Sequence, residues 1–244
     1  MNLLTYTLNV LGSGAVAYVT ARQLRDTVTR PHILAGFQLA ESGAVPFLEA
    51  LRDRAIADGD QWLAEKLTRH ANDEKRHGQI FASALKQMGK QVMDFKSMPK
   101  NDESRRSPFF EAYFQGYAPE ELKATNIDWL VFMGSTYILE LDACKDFTRM
   151  AGVLPDSHPR ERALKQGILS VAKDEERHAQ YLYEAMCRKL SESEVNKIID
   201  NWRGRKVDAM FAMVGNFLQK GGKMNNLATD GVPVENQSLD LIAA

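Results

Sequence analysis

The chain has few cysteines: Cys144 and Cys187 are the two among 244 residues, and they are far apart in the sequence. Two cysteines are too few for a disulfide framework, a cysteine-rich zinc module, an iron–sulfur cluster or a rubredoxin-type iron site. This scarcity favours a reducing compartment, and we expect a cytoplasmic protein. The sequence also lacks a charge excess, with 31 basic and 32 acidic residues. We therefore expect no nucleic-acid partner, because no overall positive charge attracts a phosphate backbone.

Strand-like alternation of apolar and polar residues is almost absent, and glycine and proline punctuate the chain at a few places. The segments between them show helical periodicity, which predicts an all-α fold. Four long helices are expected over about 31–57, 61–87, 123–151 and 158–190. The first two and the last two are joined by short turns, and a long crossover joins the pairs. This order of connections predicts a four-helix bundle with one long crossover.

Residues 1–21 carry no charge and are followed by Arg22, Arg25 and Arg30, which could indicate a membrane segment. Scattered polar residues and Gly12 and Gly14 argue against it, so membrane association is not expected. An N-terminal helix that packs on the body of the protein, or on the second subunit of a homodimer, explains the stretch better. A further helix is expected from the capping box at 191–194 to the glycines at 221–222. We predict one domain over 1–224, with a bundle core over 31–190 and a loosely ordered tail over 225–244.

The chain contains an internal repeat. The nine residues 71–79 and the nine residues 172–180 share six identities, including the string Asp-Glu-x-Arg-His. Glu41 and Glu140 are separated by nearly the same distance in sequence as the two strings. The two predicted hairpins are therefore interpreted as divergent copies of one unit.

One layer of the predicted bundle interior is polar. Steps of three and four residues give each helix an apolar inner face, which a glutamate interrupts once, followed on two helices by a histidine. The six residues are Glu41, Glu74, His77, Glu140, Glu175 and His178. Unpaired buried charges cost on the order of several kcal/mol each, and two divalent cations would neutralise four carboxylates. Oxygen-rich ligation with one imidazole per metal predicts two iron ions, with manganese or a mixed pair as alternatives.

These residues resemble the ferritin-like di-metal carboxylate superfamily, in which two helices carry one glutamate each and two carry Glu-x-x-His. The resemblance covers residues 31–190 and implies a ferritin-like bundle. It implies that Glu74 and Glu175 are bridging carboxylates, that Glu41 and Glu140 are terminal carboxylates, and that His77 and His178 are terminal nitrogen ligands. The repeated string is most similar to oxygen-activating members: ribonucleotide reductase small subunits, acyl-carrier-protein desaturases and bacterial multicomponent monooxygenases. Unlike full-length rubrerythrin, this chain has no cysteine-ligated iron site of its own.

The resemblance also implies contacts behind the histidines. In those relatives the aspartate that precedes the bridging glutamate hydrogen-bonds the histidine of the opposite helix. That implies pairs of Asp73 with His178 and of Asp174 with His77, with Arg76 and Arg177 balancing the charge. The alternative is that these four aspartate and arginine side chains are solvated helix residues, because they flank the inner face.

Several residues near the predicted ligands have more than one interpretation. Cys144 lies one turn after Glu140, where relatives place a small or polar pocket residue, and Tyr137 lies one turn before it and could relay an electron. Both could instead be plain core residues. His70 could be an extra ligand, a proton carrier, or a core or surface histidine. The aromatic stretch 109–117 could line an access channel or simply cover the bundle.

The leading expectation is a di-iron oxidoreductase, an oxidase or oxygenase that uses O2 to hydroxylate or desaturate a small organic substrate. Because the chain lacks a cysteine-ligated iron site, the electrons must come from an external electron-donor protein. The first alternative is an iron-handling protein of the ferroxidase or peroxidase type. The second is a non-enzymatic scaffold that keeps a metal for stability.

Overall fold

The computed structural model of the chain describes residues 3–94, 107–219 and 226–231. These residues form a mostly helical protein, which confirms the all-α class predicted from the sequence. The helices are α1 (Leu3–Arg25), α2 (Arg30–Ala57), α3 (Gln61–Gln87), α4 (Pro108–Tyr113), α5 (Trp129–Gly152), α6 (Pro159–Cys187) and α7 (Glu192–Gln219). The strands are β1 (Lys90–Val92) and β2 (Ala228–Asp230).

Local signals explain where the best-predicted helices begin and end. Asp60 caps α3, because its side chain accepts a hydrogen bond of 3.0 Å from the backbone N–H of Leu63. Gly59, with φ of 77°, makes the turn that separates α2 from α3. The capping box of α7 forms as predicted, since Glu194 accepts from the backbone N–H of Ser191 at 2.9 Å. Short connections and local caps thus define the α2–α3 hairpin.

Two features differ from the sequence-based expectations. Helix α5 begins at Trp129 rather than near residue 123, because Asp128 caps it by accepting from the backbone N–H groups of Leu130 and Val131. The sequence analysis predicted no strands, yet β1 and β2 pair in antiparallel register, with Lys90 opposite Asp230. Strand β2 lies within the predicted tail, of which the structure describes residues 226–231. The pairing joins residues far apart in sequence, which local patterns do not reveal.

The chain divides into two compact units, each assembled from several segments. The first unit comprises Met1–Val16, Asp94–Asp142 and Arg177–Asn225, and the second comprises Ala17–Met93, Ala143–Glu176 and Asn226–Ala244. The single domain and the ferritin-like bundle that the sequence suggested therefore stay predictions. No helix in the described part of the chain is long and apolar enough to cross a membrane.

The second unit has an apolar core built from α2, α3 and the parts of α5 and α6 that belong to it. Leu34, Phe81, Ile168 and Val171 are fully buried there. Phe37 joins this core, with ring centroids 5.3 Å from Phe81. The inner faces of these helices agree with the three-and-four spacing of apolar residues in the sequence.

The first unit packs the aromatic stretch against α7. Tyr113 is fully buried, donates a hydrogen bond of 2.9 Å to the backbone carbonyl of Ser135, and packs against Trp202 with ring centroids 5.0 Å apart. Tyr117 stacks on the same indole at 6.1 Å. The stretch around Tyr113 thus contributes to the core of this unit, which favours the covering role over an access channel.

Candidate metal centre

Four of the predicted ligands meet in the interior of the second unit. Glu41 comes from α2, Glu74 and His77 from α3, and Glu175 from α6. Their exposed fractions are 8% for Glu41, 4% for Glu74, 0% for His77 and 2% for Glu175. Charged side chains are rarely buried so completely unless they are paired or bind a metal. This cluster is called the carboxylate cluster below.

The His77 imidazole lies at the centre of the carboxylate cluster. Its Nδ1 is 3.3 Å from Oε2 of Glu41, 3.2 Å from Oε1 of Glu175 and 3.8 Å from Oε1 of Glu74. All three carboxylates therefore converge on the same nitrogen. The i to i+3 spacing of Glu74 and His77 brings both side chains to one helix face, because three residues turn the helix by about 300°.

A close approach of α2 and α3 supports this arrangement. A Cβ atom placed on Gly78 would lie 2.3 Å from Oγ of Ser42, so α3 needs a glycine there or Ser42 must move. Ser42 and Gly78 directly follow Glu41 and His77 in the sequence. The small residue thus allows the two ligand-bearing helices to approach at the level of the cluster.

The other side of the His77 ring contacts Asp174. Nε2 of His77 lies 3.2 Å from Oδ2 of Asp174, and Asp174 forms an ion pair with Arg76. Arg76 also donates a hydrogen bond of 3.3 Å to Oγ of Ser170. These are the contacts that the resemblance implies for Asp174 and Arg76. An aspartate in this position holds a proton on Nε2 and leaves Nδ1 to act as the ligand atom.

The cluster changes the protonation of His77. Burial alone lowers the pKa of a histidine, but the hydrogen bonds of Glu175 and Glu41 and the charges of Glu175 and Glu74 raise the pKa of His77 to about 9. Without a metal the ring therefore carries a proton at neutral pH, and both of its N–H groups face carboxylates. A cation that binds at Nδ1 must displace that proton.

The carboxylate cluster brings four possible ligand atoms close together. One ligand atom from each of Glu41, Glu74, His77 and Glu175 lies within 4.8 Å of all the others. Three carboxylates and one imidazole are the donors that iron and manganese accept. These buried groups could therefore hold a metal ion.

His70 adds a nitrogen donor that the sequence analysis did not place among the main ligands. It lies one turn before Glu74 on α3, is 2% exposed, and its Nε2 is 3.1 Å from Oε1 of Glu74. The four-residue spacing to Glu74 was visible in the sequence. Its burial was not, because Ala71, also buried, fitted the inner face equally well.

The remaining two predicted ligands lie in the first unit. Nδ1 of His178 on α6 is 3.7 Å from Oε2 of Glu140 on α5, and the Glu140 side chain is 13% exposed. These two residues therefore contact each other as a pair. Asp73 belongs to the second unit, whereas His178 and Arg177 belong to the first. The hydrogen bond of Asp73 with His178 and the charge-balancing role of Arg177 therefore stay predictions.

Tyr137 and Cys144 lie in different units and are both partly buried. The Tyr137 ring packs against Tyr183, with centroids 5.9 Å apart, and burial is the largest cause that raises the pKa of Tyr137. Burial likewise raises the pKa of Cys144, followed by the charges of Glu176 and Glu175. Both groups are therefore kept in their neutral, protonated forms at pH 7. Their catalytic role stays a prediction.

A buried ion pair in the first unit was missed in the sequence. Lys206 on α7 is 6% exposed, forms an ion pair with Asp142 on α5, and donates a hydrogen bond of 3.0 Å to Oγ of Ser13 on α1. Lys206 has no distinguishing local pattern, so the sequence offered no signal for it. The pair connects three helices of the unit.

Comparison with known proteins gives no family for this chain. No family model, no curated protein and no solved structure matches it. The resemblance to the ferritin-like superfamily therefore depends on the residues themselves.

Proposed function

We propose that the protein is a non-haem di-iron oxidase or oxygenase that uses O2 to oxidise a small organic substrate. The observation that carries the proposal is the buried carboxylate cluster of Glu41, Glu74, His77 and Glu175. A structural explanation of this cluster would require three carboxylates to share the single positive charge of His77. A divalent cation balances them better, because buried charges without a counterion are destabilising.

The proposed centre holds two metals. The carboxylate cluster binds one of them, with His77 as its nitrogen ligand. The resemblance implies that Glu140 and His178 would hold the other, and that Glu74 and Glu175 would serve both. Two divalent ions neutralise the four glutamates, which is the charge balance expected from the sequence.

Residues next to the carboxylate cluster orient His77 and place apolar side chains near the proposed metal site. Asp174 holds the proton of His77 on Nε2, and Arg76 neutralises Asp174. One helical turn from Glu41 and from His77, Phe37 and Phe81 pack together, and Phe147 completes the group with centroids 5.1 Å from Phe37. These three rings form an apolar group one helical turn from the cluster on α2 and α3.

Iron, when bound, supplies the redox chemistry that protein side chains lack. Hydroxylation of one C–H bond by O2 consumes two further electrons and two protons, and the second oxygen atom leaves as water. The proposal therefore requires an external electron-donor protein. We also propose that the protein works in a reducing compartment, which its low cysteine content favours.

The experiment that tests the function measures metal content and O2 uptake. Chelator-treated full-length protein is loaded with Fe(II) without oxygen, analysed for metal per chain, and then exposed to O2 with a ferredoxin, its reductase and NADPH as electron source. We expect about two iron ions per chain, by charge balance, and O2 uptake that continues beyond the amount needed to oxidise the bound iron. Glu175→Gln should lose both, whereas Glu176→Gln, at the exposed next position, should retain them.

Other outcomes distinguish the alternatives. O2 uptake that stops in proportion to added Fe(II), together with a large hollow assembly in size measurements, indicates a ferroxidase or storage protein. Two bound metals without O2 uptake indicate a scaffold. Failure of the wild-type protein to bind metal contradicts the proposal as a whole.

A further inference from the structure

His70 is a buried histidine that the six-residue ligand pattern does not include. It is 2% exposed, and its Nε2 lies 3.1 Å from Oε1 of Glu74. The same oxygen lies 3.8 Å from Nδ1 of His77. Glu74 thus has an imidazole on each side, one four residues before it and one three residues after it.

The internal repeat shows that packing alone does not require a histidine here. The repeat matches residue 71 with 172, so the residue that matches His70 on α6 is Val171. Val171 is fully buried and apolar. The two copies share glutamate and histidine at the ligand positions but differ at this one. An imidazole placed in the interior at this level therefore has a purpose other than filling space.

The two imidazoles of α3 contact the same carboxylate from positions two helical turns apart. The Nε2 of His70 lies 3.1 Å and the Nδ1 of His77 lies 3.8 Å from Oε1 of Glu74. Two ligands of one ion are about 4 Å apart, and on a helix they usually lie three or four residues apart. Nδ1 of His77 is already directed at Glu41 and Glu175. If Glu74 bridges two metals, as the resemblance implies, His70 could bind the one that His77 does not.

We propose that His70 is a seventh protein ligand of the di-metal centre and binds the metal on the side of Glu74 away from His77. This inference rests on the proposed function, since it assumes that the metals bind. A neutral imidazole adds a donor without changing the charge balance of four carboxylates and two divalent ions. The centre would then have three imidazole ligands, one more than the two Glu-x-x-His motifs supply.

Cobalt(II) provides the probe, because each cobalt-bound histidine with a ring N–H produces a strongly shifted, solvent-exchangeable proton signal in the NMR spectrum. The full-length chain is loaded with Co(II), and its histidines are labelled with 15N to assign these signals to imidazoles. We expect three such signals from the wild-type protein and two from His70→Gln. His158→Gln is the matched control, because His158 is an exposed histidine of the same unit, and this variant should keep all three signals.

Binding titrations add a second readout. Wild-type protein should bind two Co(II) ions per chain, and His70→Gln should weaken one of them by at least about tenfold while leaving the other unchanged. Unchanged signals and affinities in His70→Gln overturn the inference but leave the proposed function intact. Weaker binding with all three signals retained also overturns it, since His70 would then position Glu74 by a hydrogen bond.

The wild-type spectrum alone keeps the inference testable if His70→Gln fails to fold. Two imidazole signals from a wild-type protein that holds two Co(II) ions contradict a third histidine ligand. A wild-type protein that binds no Co(II), Mn(II) or Fe(II) contradicts both the inference and the proposed function.

Discussion

Replacing Glu175 by glutamine separates a metal centre from a structural polar cluster. Glu175 is 2% exposed, and its Oε1 lies 3.2 Å from Nδ1 of His77. The amide has nearly the same shape but removes one of the three negative charges around His77. If the pair were structural, breaking it would cost about 3–5 kcal/mol. In the metal-free cluster, lost repulsion from Glu41 and Glu74 offsets part of the lost attraction to His77, so we expect a smaller loss.

Glu175→Gln should also remove most of the stabilisation that a bound metal gives the protein. A metal present at 100 times its dissociation constant stabilises the native protein by about 2.7 kcal/mol. For a chain of this size that raises the melting temperature by roughly 5–11 °C. A hundredfold loss of affinity in Glu175→Gln reduces the stabilisation to about 0.4 kcal/mol, which corresponds to roughly 1–2 °C.

The assay is thermal unfolding of chelator-treated protein, with and without Mn(II) or anaerobic Fe(II). Glu176→Gln is the control, because it changes the exposed neighbouring glutamate and should keep the full metal-dependent shift. The reasoning is refuted if Glu175→Gln keeps the wild-type shift.

Three further predictions concern pH, helix approach and the buried ion pair. The pKa of His77 is raised from 6.5 to about 9, so its contribution to metal-free stability is full below pH 6.5 and is lost as pH rises through 9. The difference in free energy of unfolding between wild type and His77→Gln, measured in urea, should fall by about 3 kcal/mol between pH 6 and pH 9. Gly78→Ala should weaken Mn(II) binding in calorimetry, because its Cβ displaces the side chain of Ser42 next to Glu41, whereas Gly43→Ala, with open space around its Cβ position, should not. Lys206→Met should destabilise the protein in urea unfolding by about 3 kcal/mol, and adding Asp142→Leu should restore most of the loss; equal stability of the two variants would contradict a buried pair.

Helix boundaries were predictable where the signals are local. Helix α3 begins and ends at the predicted residues, Gln61 and Gln87, because Asp60 caps it and Gly89 adopts a positive φ just beyond it. Helix α5 was predicted to begin too early, because its apolar periodicity was extended past the cap at Asp128. A capping residue therefore identifies the first residue of a helix where apolar periodicity alone fits several starting positions.

The candidate site was predictable in its residue types and, through the resemblance, in the contact of Asp174 with His77, but not in the role of His70. The Glu-x-x-His spacing and the internal repeat are enough to single out Glu74 and His77. The burial of His70 and its contact with Glu74 required the packed protein, because a four-residue spacing occurs equally on an exposed helix face.

The amino-acid sequence by itself determined the helical class, the hairpin of α2 and α3, and the helix faces on which the glutamates and histidines lie. These depend on interactions between residues a few positions apart, which recur in any helix. Only the tertiary structure decided that Tyr113 meets Trp202, that Lys206 meets Asp142 and that β1 pairs with β2. Those contacts join residues far apart in sequence, and their geometry is set by how the helices pack.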